Sequence, residues 1–213
     1  DPDAEFSDDP NAVLGAFEIA PGFEVNLFAS EPMIENPIQM AWDSAGRLWV
    51  VCSPTYPQLD PGQEYSDYIA VLEDTDDDGQ ADRRTIFADG LLVPTGIEFG
   101  DGGVYVANVP DLLFLADTDG DLKADIRRTV LSGFGTEDNH QAISAFVWGP
   151  GGNLYFGSGR FVRTQVETPY GVVRADDGVV FEFQPRKRKL DRYVYGGSIN
   201  HWGHNFDRWG QDF

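Results

Sequence analysis

The chain has 213 residues, 41 % hydrophobic and 13 % aromatic, which is enough for a packed core and excludes global disorder. Its formal net charge is −21, from 36 acidic and 15 basic residues. A surface this negative repels phosphate backbones and excludes nucleic-acid binding.

In chain order, residues 1–12 read DPDAEFSDDPNA. Residues 1–20 are expected to be a flexible amino-terminal segment. The absence of an initiator Met and of a signal peptide leads us to expect either a processed, mature amino terminus or a cut from a longer chain. No stretch approaches the ~20 apolar residues of a membrane span. The one cysteine, Cys52, lies in the apolar run 48–52 and reads as a buried small hydrophobe.

Residues 21–213 are expected to form one all-β domain, a partial β-propeller. The 24 glycines and 13 prolines, with Asp and Asn between short apolar runs, point to many turns. An aromatic, a tight Gly-containing turn and a second aromatic recur as Trp42–Trp49, Phe99–Tyr105, Trp148–Tyr155 and Phe206–Phe213. The second aromatics stand 56, 50 and 58 residues apart. Apolar alternation flanks each turn, as in a β-hairpin. Further strands are expected at 68–74 and 83–88, at 111–117 and 126–131, and at 178–183 and 190–196. The basic turn from Arg186 to Lys189 reads as a solvated hairpin tip.

A repeat of ~50 residues with four short strands fits a propeller blade. About three and a half blades are present, so the chain is expected to be part of a longer propeller. Its open edges would need cover from further chain, a partner or a second copy.

Two acidic loops interrupt the repeats. Asp74, Asp76, Asp78 and Asp82 form DxDxDGxxD; Asp117, Asp119, Asp121 and Asp125 form DxDxDxxxD. Carboxylates at positions 1, 3 and 5 point to one side of a curled loop. The carbonyls of Gln80 and Lys123 at position 7, and the Asp at position 9, can complete an oxygen shell. Hard oxygen donors in this number suit Ca²⁺, in two sites, better than Mg²⁺ with its stricter octahedron. Neither loop is an EF-hand, since Thr85 and Arg128 occupy position 12. Leu122 holds position 6 in the second loop where the first has Gly79. A polar hairpin turn without metal is the alternative, and two Asp-rich copies at matching places in two blades argue against it.

In a propeller, the segments leading into the innermost strands converge on the axis at one face. Here these are Asn36-Pro37, Pro94-Thr95, His140-Gln141 and Asn200-His201, and His204 follows. His140 is the candidate general base. Asn200 can orient a carbonyl or a cofactor oxygen, and Arg160 and Arg163 can hold carboxylates. Ordinary polar filling of a central tunnel explains the same residues without function.

The segment HQAISAFVWGPGGNLYFGSG, from His140 to Gly159, resembles the H…GPDGxLYxxxG signature of glucose/sorbosone-dehydrogenase-type quinoprotein propellers. More of the chain resembles a planctomycete and verrucomicrobial branch of large secreted proteins named as membrane-bound dehydrogenases. The carrying segments are PGFEVNLFASEP (21–32), AWDSAGRLWVV (41–51), LEDTDDDGQADRRTIFADGL (72–91), DTDGDLKADIRR (117–128) and NHWGHNFDRWGQDF (200–213). The resemblance implies a six-bladed propeller with His140 as catalytic base. It implies pyrroloquinoline quinone (PQQ) as cofactor, with Asn200 and Arg160 beside it, and a sugar or alcohol substrate. It also implies a c-type haem domain outside this segment and a periplasmic or extracellular location. Three positions depart from the patterns: Gly151 stands for the signature Asp, Ile199 for an Arg that polarises the quinone, and Gln141 for a second His. Two functions therefore stand: a quinoprotein-type dehydrogenase, and a non-catalytic calcium-stabilised scaffold or binding module.

Overall fold

The computed structural model describes residues 9–196 and 200–213. Ile199 and the first eight residues of the expected flexible segment lie outside it. The helix α1 (Pro10–Leu14) stands within residues 1–20, capped by the Asp9 carboxylate on the Asn11 N–H.

The described residues form fourteen strands in four antiparallel sheets. The first sheet orders β1 (Pro37–Trp42), β2 (Leu48–Cys52), β3 (Asp67–Glu73) and β4 (Arg83–Leu91). The second orders β5 (Gly96–Gly100), β6 (Gly103–Asn108), β7 (Asp111–Ala116) and β8 (Ile126–Ser132). The third joins β9 (Ser144–Trp148) and β10 (Leu154–Ser158) to β13 (Val179–Gln184) and β14 (Lys189–Tyr195). Each of these three sheets is a propeller blade of four strands, and the inner strands β1, β5 and β9 stand side by side. Phe206 and Asp212 bridge at the start of a fourth repeat.

The sequence periodicity explains the stacking. Strand β2 is apolar throughout because both its faces are covered. Its odd and even residues point to opposite sides. Trp49 and Val51 join the core between the first and second blades, with Phe87, Ile97, Val104 and Leu115. Leu48, Val50 and Cys52 face the other way, against Phe28 and Ile34. Strand β6 repeats the rule, with Tyr105 and Ala107 turned into the core shared with the third blade. Each fully buried Leu, Val or Phe contributes about 1.5–3 kcal/mol. Cys52 is a free, buried thiol, as its apolar run implies. The basic tip at 186–188 is exposed.

One element was not anticipated. A hairpin, β11 (Thr164–Thr168) with β12 (Gly171–Ala175), is inserted between the second and third strands of the third blade. It docks on β8, where the Gln165 N–H donates to the Gly133 carbonyl at 2.8 Å. Its apolar residues alternate as a hairpin's should, but a four-strand repeat leaves no place for them.

Candidate functional site

The segments leading into β5 and β9, and the loop joining β2 to β3, meet on one face of the propeller. A cleft of about 210 Å³ opens there, lined by Gln39, Tyr56, Thr95, His140, Ser144 and Trp202 among others. Asp138 caps the short 3-10 turn Asn139–Gln141. Its carboxylate accepts the His140 backbone N–H at 2.9 Å and lies 3.3 Å from His140 Nδ1. This places the Asp138 carboxylate on the Nδ1 side of the ring and leaves the Nε2 side away from that contact. The His140 side chain is 55 % exposed, open to the cleft.

The loop that carries Tyr56 is anchored by Asp67. This fully buried carboxylate accepts Ser53 Oγ at 2.9 Å, the Thr55 N–H at 3.1 Å and the Val93 N–H at 2.7 Å. Asn139 Nδ2 donates to the Pro57 carbonyl at 2.6 Å, tying the 3-10 turn to the same loop. The Tyr56 ring then lies 5.2 Å from the His140 ring. Burial, and after it the charge of Asp138, raises the Tyr56 phenol above its ordinary value. Gln39 Oε1 accepts the Ile97 N–H at 2.6 Å, so its NH₂ group is the donor that Gln39 can offer the cleft.

Gln141 is the hub behind the cleft. Its carbonyl accepts Ser158 Oγ at 3.0 Å and the Gly159 N–H at 2.9 Å. Its side chain donates to Asn200 Oδ1 and accepts the Arg160 N–H at 3.1 Å. His140, Asn200 and Arg160 are thus brought together around one glutamine, but only His140 lines the cleft. The Arg160 guanidinium turns to Asp177, at 3.2 Å, and to the Phe161 ring. Arg163 gives its backbone N–H to Glu137. Both arginines follow β10, the second strand of the blade. His201 is packed so closely on Gly157 that a Cβ there would collide with its ring. Burial, and then the neighbouring His204, lowers its pKa, so it is neutral. His204 sits among the rings of Tyr155, Tyr193 and Phe206 as a packing residue.

The acidic loops lie on the opposite face. Oxygens of Asp74, Asp76 and Asp78 fall within 4.8 Å of one another, as do those of Asp117, Asp119 and Asp121, and each trio can hold a metal ion. The ninth-position residues are otherwise engaged. Asp82 accepts the Thr75 N–H at 3.0 Å and its Oγ1 at 2.8 Å; Asp125 accepts the Thr118 N–H at 2.6 Å and its Oγ1 at 2.9 Å. The Gln80 and Lys123 N–H groups donate to Asp78 and Asp121. The Thr75 hydrogen bonds depress the Asp82 pKa, and the Gly120 N–H depresses that of Asp117. Leu122 adopts φ 63°, close to the 83° of Gly79, and its side chain packs on the core between the first two blades. There the apolar contact offsets the left-handed backbone.

The sequence reading missed Asp138, Tyr56, Gln39 and Glu98. Only Asp138 had a local signal, an Asx cap two residues before the histidine. Glu98 lies on inner strand β5, between Gly96 and Gly100 on the face against which Phe146 and Trp148 pack. Burial there pushes its carboxyl up to about 7.

A family model described as a domain of unknown function, DUF7133, matches residues 9–213. No curated protein resembles the sequence at a significant level. Among solved structures, a gluconolactonase from Xanthomonas campestris is similar with a TM-score of 0.56 and 18 % identity, over 88 % of this chain and 56 % of that one. A luciferin-regenerating enzyme is similar at a TM-score of 0.43 and 10 % identity, over 78 % of this chain and 62 % of that one. The chain therefore spans little more than half the length of these structures. The first likeness agrees with the propeller fold, and at this identity it shows the fold alone.

Proposed function

Because the chain belongs to the DUF7133 family, whose description carries no activity, we propose its function from the cleft: general-base catalysis by His140 on a small polyhydroxylated ring, a sugar or its lactone. The observation that carries this is the pairing of His140 Nδ1 with Asp138 at 3.3 Å beside an open cleft. Asp138 orients the imidazole, and Nε2 takes the proton. Tyr56 and Trp202 supply apolar ring faces for the C–H surface of a sugar.

Hydrolysis of a sugar lactone needs the least beyond these residues. Water loses a proton to His140 Nε2 as its oxygen bonds to the lactone carbonyl carbon. The ring C–O bond then breaks, and the proton passes to the leaving alkoxide. Gln39 Nε2 is the donor for the carbonyl oxygen.

Dehydrogenation of a sugar hydroxyl is the second reading, carried by the signature around His140. Its hydride acceptor would be the quinone, a tricarboxylate that needs cations. Among the described residues the cleft lining contains no Lys or Arg, Arg160 is paired with Asp177, and Asp138 adds negative charge. The residues present do not fit the quinone.

The Asp loops complete the reading as structural Ca²⁺ sites, since their donors are hard carboxylate oxygens. Such sites fit a calcium-rich location outside the cytoplasm. Among the described residues, no helix is long and apolar enough to cross a membrane.

The test is acid release from a panel of aldonolactones, and dye reduction with aldoses and added quinone, by the full-length gene product in Ca²⁺. The expected result is lactone hydrolysis that His140→Ala abolishes. No hydrolysis, or hydrolysis undiminished in His140→Ala, rejects the reading; quinone-dependent dye reduction restores the second one.

A further inference from the structure

We infer that residues 24–31 are the outermost strand of the blade that closes the propeller, held in place before that blade's other strands arrive. The argument starts from how the second blade docks on the first. The Ala124 N–H, in the second acidic loop, donates to the Phe87 carbonyl of β4 at 2.8 Å. Three residues on, Arg127 donates to the carbonyls of Asp89 and Gly90 at 3.0 and 3.1 Å. An outer strand thus cradles the next blade's loop.

The first blade makes similar contacts on its other side, and there the cradle is the amino-terminal segment. The Ala81 N–H donates to the Phe28 carbonyl at 2.8 Å. Three residues on, Arg84 donates to the carbonyls of Pro32 and Met33 at 3.0 and 3.1 Å, two residues further along than the positions that match Asp89 and Gly90. The sequences agree as well: Leu27-Phe28-Ala29-Ser30 against Ile86-Phe87-Ala88-Asp89 of β4. Phe28 packs on Leu48, Val50 and Leu72 as Phe87 packs in the next core. The segment behaves as an outer strand of a preceding blade.

The aromatic repeat shows what belongs beside it. Each inner-strand aromatic packs on the second-strand aromatic of the blade before: Phe99 on Trp49 at 5.2 Å, Trp148 on Tyr105 at 5.8 Å, Phe206 on Tyr155 at 4.9 Å. Trp42, the first of the series, touches Phe28 at 5.5 Å and is 55 % exposed. Beside it a groove of about 390 Å³ runs along Phe28, Ile38, Met40, Leu48 and Val50. This groove corresponds to the place that Trp49 and Val51 fill in the next interface.

The occupant is a three-stranded blade from the same polypeptide, with an aromatic on its second strand to meet Trp42. A second copy of this chain fits less well, because its third blade already has β14 in the outer position. Closure by such a shared blade joins the two ends of the wheel and removes its open edges.

Hydrogen exchange on the full-length gene product tests this. Amides in residues 24–30 are expected to exchange at least about 100-fold slower than an unstructured chain, as in β4, independently of protein concentration. Trp42 is expected to resist acrylamide quenching in the same sample, read with Trp42→Phe as reference. Exchange at the unstructured rate, protection lost on dilution, or a Trp42 as quenchable as free tryptophan would each overturn the inference.

Discussion

The face that carries the acidic loops repeats itself, whereas the face that carries His140 does not. Asp74–Asp82 and Asp117–Asp125 share a spacing, a Thr–Asp clasp and an Ala whose N–H donates to a Phe carbonyl of the neighbouring segment. The equivalent segments of the other face read Asn36-Pro37, Pro94-Thr95 and His140-Gln141. Repetition is what stacking requires, because every blade must dock on the last in the same way. Chemistry requires one residue at one place, so the face where the repeat breaks down is the candidate functional one.

The comparison implies that damage to the two faces will separate stability from activity. The largest expected effect is on the repeated face. At free Ca²⁺ 100-fold above the dissociation constant, each loop adds about 2.7 kcal/mol and the pair about 5 kcal/mol. Chelation, or Asp76→Asn with Asp119→Asn, should therefore lower the calorimetric melting temperature by many degrees without changing turnover per folded molecule. An unchanged melting temperature would remove calcium from the account.

The next effect belongs to the non-repeated face. His140→Ala should lower kcat/KM for the lactone by 10²–10⁴, about 3–5 kcal/mol in the barrier. Its melting temperature should stay within the shift of about 0.5 kcal/mol, since the side chain is largely exposed. A variant that loses stability and activity together would show that the two faces are not separable.

The smallest effect concerns Glu98, on the inner strand between the faces. Its folded pKa of about 7 exceeds the ordinary carboxylate value. Folding therefore favours the protonated acid. The contribution of Glu98 to stability is greatest below its unfolded pKa, falls as pH rises towards 7, and is flat above it. The full shift corresponds to about 3 kcal/mol; because the carboxyl is partly solvated, about half of that is expected. Urea titrations between pH 4 and 8 should show this fall as the difference between the parent protein and Glu98→Gln, and equal profiles for the two would reject it.

Much of the fold was legible from local rules. Strands β2, β3, β6 and β7 follow from apolar runs bounded by turns, and the aromatic repeat set their order into blades. The β11–β12 hairpin escaped because its alternation says strand but not which sheet. The candidate site was legible only in part. His140 was named from its place before an inner strand, but Arg160 turned to Asp177 instead of the cleft. Salt-bridge choice depends on which carboxylate the next hairpin brings near, and no spacing in the sequence encodes that.

The sequence by itself determined what depends on neighbours in the chain: alternating strands, tight turns and carboxylates two residues apart that must curl to one side. Only the tertiary structure decided what depends on distant segments. It set Tyr56 against His140, made Gln141 the hub between Asn200 and Arg160, and laid Phe28 on the first blade as though it were β4. The reason is geometric. Short-range rules act through bond lengths and dihedral periods, whereas these contacts exist only once the blades have stacked around a common axis.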